Sequence, residues 1–95
     1  MLEAYGPAAC KRLAELADVL GLCPTGSRTE KARAFIDAIY RTNRTLGIPE
    51  CFPCIRSEDL PQMAAWAEAE ANPVYPVPVI FGKEDFIRVT RRVMP

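Results

Sequence analysis

Cys51-Phe52-Pro53-Cys54 is the spacing in this chain with the clearest chemical meaning. Two thiols separated by two residues can cycle between dithiol and disulfide, or supply half of a tetrahedral zinc site. The surroundings argue against both uses. A redox C-x-x-C opens a helix after a strand, whereas this one follows a helical pattern and a Gly47-Ile48-Pro49 stop. Zinc needs two more ligands, and only Cys10 and Cys23 remain, with no second C-x-x-C and no histidine. Cys10 also fits the apolar face of its own helical pattern. The expectation is four reduced, mostly packed thiols. No signal-peptide pattern places them in an oxidising compartment.

The carboxylates offer no catalytic pair. Glu68 and Glu70 are two residues apart and do not share a helical face. Glu58 and Asp59 are accounted for as acids in the first turn of a helix, where the dipole favours them. The chain has no histidine base, no G-x-G-x-x-G, no P-loop and no nucleophile elbow. What remains is Glu70-Ala71-Asn72-Pro73-Val74-Tyr75-Pro76-Val77-Pro78. Its three prolines fix φ and remove donors, so it should run as a stiff, polyproline-like connector. It carries one amide, Asn72, and one phenol, Tyr75, both able to hydrogen-bond. The plain structural reading is that Asn72 caps the preceding helix and Tyr75 packs on it.

The elements that position these residues follow from periodicity and punctuation. Pro7 suits a first helical position, Leu13, Leu16, Ala17 and Leu20 form one stripe, and Gly21 ends a helix from about Pro7 to Leu20. Ser27-Arg28-Thr29-Glu30 reads as a capping box. A second stripe follows at Ala32, Phe35, Ile36, Ile39, Tyr40 and Leu46, closed by Gly47-Ile48-Pro49. Either Ser57 or Asp59 can cap a third helix, with Asp59 and Gln62 matching a capping box. Leu60, Met63, Ala64, Ala67 and Ala71 share its face, and Asn72-Pro73 ends it. Met63 reads as a gap-filler and Trp66, between stripe positions, as a cover for a neighbouring surface. Gly82 caps a last helix that begins with Glu84 and Asp85 and is anchored by Phe86, Val89 and Val93. Val77 to Phe81 is the one strand-like run, an edge at best because of its proline. The fold class is therefore all-α, with about four helices in a small bundle.

Length and charge bound the rest. Ninety-five residues make at most one domain. A chain of this size buries only roughly 60–65% of its unfolded surface. Twelve Lys and Arg balance twelve Asp and Glu, which removes the electrostatic case for nucleic acid or an anionic membrane as partner. Arg88, Arg91 and Arg92 cluster where they suit a helix C-terminus. No apolar run reaches the length of a membrane span, and the expected location is the cytoplasm.

The order of Leu46 to Pro49, Glu58 to Pro61, Ala64 to Ala67, Glu70 to Pro78 and Lys83 to Val93 resembles the C-terminus of the iron-dependent alcohol dehydrogenases. The Glu-Ala-Asn-Pro-x-Tyr-Pro-Val-Pro form looks like one subgroup of that family, and the likeness spans nearly the whole chain. The resemblance implies a parent similar in fold to dehydroquinate synthase and glycerol dehydrogenase. In such a parent an N-terminal α/β domain binds NAD(P). A C-terminal helical domain holds a divalent metal, Fe(II) or Zn, through one aspartate and three histidines. A small alcohol or aldehyde reacts between them by hydride transfer. Residues 1–95 would be the last part of that helical domain, with the metal-ligand helices and the cofactor domain absent. The chain alone would then be structural and inactive, with no catalytic, metal or cofactor residue of its own. Its partner would be the rest of the parent enzyme, and the apolar surface left uncovered would favour self-association. The connector after the third helix would line the substrate cleft, with Asn72 and Tyr75 reaching a substrate oxygen and Val74 setting pocket size. The competing expectation is a free-standing helical module that takes a partner helix in an exposed groove, without catalysis.

Overall fold

The computed structural model describes residues 1–72 and 76–95. Pro73, Val74 and Tyr75, with the expectations placed on Val74 and Tyr75, lie outside the described residues. The described residues form four α-helices and no strand. The Val77 to Phe81 run is irregular, with Pro76, Val77 and Pro78 exposed. Pro78 within the run, and Pro76 just before it, remove donors that a strand ladder would need. The all-α expectation is met. The contacts divide the chain into two compact units, Met1–Pro49 and Glu50–Pro95.

The first unit pairs α1 (Pro7–Val19) with α2 (Arg28–Thr45), preceded by a 3-10 turn at Glu3–Tyr5. Pro7 occupies the first helical position, where its missing N–H costs nothing. Both helices stop in the same way. After α1, Gly21 has φ +70°, its N–H bonds to Asp18 O at 3.1 Å, and the Leu22 N–H reaches Ala17 O at 2.9 Å. After α2, Gly47 has φ +73°, its N–H bonds to Arg44 O at 3.2 Å, and the Ile48 N–H reaches Asn43 O at 2.9 Å. These are paired Schellman closures that satisfy the last carbonyls of each helix.

The buried face of α1 is Ala9, Leu13, Ala14 and Ala17, rotated from the expected stripe. Leu16 and Leu20 are exposed, at 46% and 61%. Ala9 and Leu13 pack on Ala32 of α2, with Leu2, Tyr5, Cys10, Phe35 and Ile36 around them. Alanine at the contact lets two helices approach closely, so the small face wins the core and the larger leucines are left on the rim. Of the second stripe, Ala32 is buried and Phe35 and Ile36 are half-buried, whereas Ile39, Tyr40 and Leu46 are exposed. Lys31 Nζ meets Asp18 Oδ1 at 2.6 Å across the α1–α2 pair.

The second unit pairs α3 (Leu60–Ala71) with α4 (Lys83–Arg91). Leu60 and Ala64 are buried, and Met63, Ala67 and Ala71 half-buried, so the expected α3 face is correct. Trp66 is 67% exposed. A 3-10 turn at Ser57–Asp59 leads directly into α3. Neither proposed cap forms: Asp59 sits at the N-cap with helical backbone (φ −86°, ψ −16°) and its side chain makes no capping bond. A side-chain cap needs extended backbone and a free N–H at the second or third position, and Pro61 has removed one of these. Arg56 takes the two acids instead, Nη1 to Glu58 Oε1 at 3.2 Å and Nε to Asp59 Oδ2 at 3.3 Å. Gly82 precedes α4 in extended backbone, and its N–H donates to Asp85 Oδ2 at 3.0 Å. Buried Phe81 meets Phe86 edge-to-face, ring centres 5.6 Å apart.

Candidate functional site

Two places merit description as sites, one in each unit. The first is Asn72, on which the family resemblance placed a substrate contact and the plain reading of the residues a helix cap. Asn72 is the C-cap of α3, its backbone N–H bonded to Glu68 O at 3.0 Å. Its side-chain Nδ2 donates to the Phe81 carbonyl oxygen at 2.9 Å, in a half-buried setting. The amide therefore joins the two ends of the connector between α3 and α4, and Phe81 is held both by that bond and by its ring contact with Phe86. Closing a loop at its stem through one side-chain amide is a positioning device.

The second is an open groove of about 480 Å³ in the first unit, lined by Glu3, Arg33, Asp37, Tyr40, Arg41 and Arg44. Five of these come from α2 at spacings of 4, 3, 1 and 3, which a helix gathers onto one face. Glu3 comes from the N-terminal 3-10 turn. Its carboxylate accepts a hydrogen bond from the Tyr40 hydroxyl and faces Arg33 Nη1 at 3.5 Å. Arg33 Nε in turn meets Asp37 Oδ1 at 3.1 Å. No histidine, cysteine or lysine lines the groove. Glu3, through Tyr40 and Arg33, ties the N-terminal turn onto α2, while Asp37 pairs with Arg33 along the helix itself.

Arg33, Asp37, Arg41 and Arg44 were not singled out from the sequence, although their helical spacing is the signal that could have grouped them. Tyr40 was instead assigned to the apolar stripe, because its ring fits that periodicity. Glu3, thirty residues from Arg33, carries no local signal that it will reach them.

The cysteines also differ from expectation. Cys10 and Cys23 are half-buried, whereas Cys51 and Cys54 are exposed, and all four thiols are free. Among the described residues, no cluster of three or more His, Cys, Asp or Glu side chains could hold a metal ion. No helix among them is long and apolar enough to cross a membrane. No family model, curated protein or solved structure matches the chain.

Proposed function

We propose that this chain is the C-terminal portion of the helical domain of an NAD(P)-dependent, metal-dependent alcohol dehydrogenase of the cytoplasm, structural by itself and active only with the rest of its parent. The observation that carries this reading is the order of five motifs, from Leu46-Gly47-Ile48-Pro49 to the acidic-start terminal helix. The fold is compatible with it: Gly47 ends α2, Leu60-Pro61 begins α3, and Gly82 precedes α4. The donor set of such a parent's metal, one aspartate and three histidines, does not fit these residues, since there is no histidine. Metal and nicotinamide would both be held elsewhere in the parent. The part of this chain would be to cover apolar surface and to hold the Asn72-to-Phe81 connector, with Asn72, Val74 and Tyr75 toward an alcohol or aldehyde.

The test begins with the reading frame upstream of the Met1 codon. The reading requires a frame continuous with a nucleotide-binding half carrying the aspartate and three histidines. The longer polypeptide, loaded with Fe(II), should oxidise short alcohols with NAD(P). A stop codon or promoter immediately upstream overturns it and favours the helical interaction module. In the active parent, Asn72→Ala and Tyr75→Phe should each lower kcat/KM by roughly tenfold to a hundredfold, the loss of a hydrogen bond of about 1–3 kcal/mol, with Asn72→Ala also releasing the tether to Phe81. Wild-type kcat/KM in both, or losses that only follow Tm, would make the segment purely structural.

A further inference from the structure

We propose that Cys51 and Cys54 form a reversible dithiol–disulfide pair whose oxidant is a small disulfide such as oxidised glutathione. Three observations place the two thiols for this. Both are exposed, unlike Cys10 and Cys23, so both are open to attack by a solute. A tight turn also begins one residue after Cys51 and carries Cys54. The Ile55 N–H bonds to Phe52 O at 3.2 Å, which puts Pro53 and Cys54 at the two corners of a β-turn. Proline favours the first corner because its φ is already set. Finally, the turn is held: the Phe52 N–H donates to Val93 O at 2.6 Å, fixing the residue between Cys51 and Pro53 against the segment after α4. A short loop whose middle is already ordered loses little entropy when its ends are bridged.

The chemistry balances with one equivalent of oxidant. One cysteine thiolate attacks a sulfur of the glutathione disulfide, forming a mixed disulfide and releasing one glutathione thiolate. The second cysteine thiolate attacks the protein sulfur of that mixed disulfide. The Cys51–Cys54 bond forms and the second glutathione leaves. The protein loses two electrons and two protons, and glutathione disulfide becomes two glutathiones. The intramolecular second step is favoured over a second glutathione addition because the two cysteines are separated by only two residues. This pair needs no helix N-terminus, because it acts as a sensor of redox poise and not as a fast oxidoreductase.

The experiment uses the full chain, reduced, freed of reductant and incubated in glutathione buffers of increasing oxidised-to-reduced ratio. Samples are acid-quenched, alkylated in denaturant and mapped by mass spectrometry. The alkylatable thiols should fall from the four free cysteines to two, with a bridged 51–54 peptide, and dithiothreitol should restore all four. Cys54→Ser should stop at a glutathione adduct on Cys51, and Cys51→Ser at one on Cys54. The proposal is overturned if both thiols stay alkylatable at every ratio, if the wild type accumulates two glutathione adducts, or if either cysteine pairs with Cys10, Cys23 or another chain.

Discussion

A β-carbon at Gly26 would lie 2.3 Å from the Cys23 sulfur and 3.2 Å from the Glu30 β-carbon. The α1–α2 connector is drawn so tight that Cys23 adopts φ +50°, a conformation L side chains rarely take. Gly26→Ala should therefore cost about 1 kcal/mol, and much of that should vanish in a Cys23→Ala background, where the sulfur is gone. A double-mutant cycle by urea unfolding should give a coupling of about 1 kcal/mol. Additive losses would mean that Glu30, and not the sulfur, meets the new methyl group. Asp85 sets a second test at this scale. Its carboxyl is held below the ordinary range, first by the Gly82 N–H and then by Arg88. A depressed folded pKa contributes stability above the unfolded carboxyl's pKa, and loses it as pH falls through the folded value. Asp85→Ala should lower Tm at neutral pH, and the gap from wild type should close under strong acid. A gap independent of pH would remove the ionic account. The place of Asp85 in the first turn was readable from sequence, although its bonds to the Gly82 N–H and to Arg88, three residues to either side, were not read. The tie from Glu3 to Tyr40 was not readable, because nothing local records a contact 37 residues away.

Helix ends were more legible than helix faces, for a physical reason. Ends are set by backbone chemistry within a few residues: Pro7 at a start, Gly21 and Gly47 past a stop, Ser27 before α2. The Ser27 cap is present, its Oγ accepting the Glu30 N–H at 3.2 Å. The return contact differs from a capping box, since the Ser27 hydroxyl donates to the Glu30 carboxylate at 3.2 Å. Faces are chosen by the neighbour. On α1 both the Leu13–Leu16–Leu20 set and the Ala9–Leu13–Ala17 set have helical spacing. Close approach to Ala32 selects the second. Asn72 stands between these cases: its cap position was readable, its tether to Phe81 was not. The two Schellman closures make a prediction for the elements. Nothing lies within 4 Å of a β-carbon at Gly47, so Gly47→Ala meets no clash and pays only for left-handed backbone, about 1–2 kcal/mol. Gly47→Asn should cost less, because asparagine tolerates that conformation. Circular dichroism during thermal unfolding measures both; equal losses would show that α2 can end without the left-handed turn.

For the molecule as a whole, the core is thin and the apolar rim is wide. Among the described residues eight apolar side chains are buried, and five of them are alanines. Leu13, at 5% exposure, is one of the few large ones, and Leu13→Ala should cost about 2–4 kcal/mol. Urea midpoints test this, and a loss under 1 kcal/mol would mean the site collapses around the gap. The all-α class was readable from periodicity alone, but which apolar residues stay outside depends on packing that periodicity does not contain. At the C-terminal end of α1, Leu16, Val19 and Leu20 are exposed at 46%, 83% and 61%. Single exposed apolar residues are ordinary, whereas three within five positions make a patch with hydrophobic drive. The chain alone should therefore associate as its concentration rises. Leu16→Lys with Val19→Lys should weaken that association at least tenfold by sedimentation velocity. Tm should hold or rise slightly, since cations near a helix C-terminus suit its dipole. If the double variant associates as wild type does, another surface carries the contact. If wild type stays monomeric throughout, this rim has too little drive to associate unaided, and the uncovered-fragment reading loses its expected self-association.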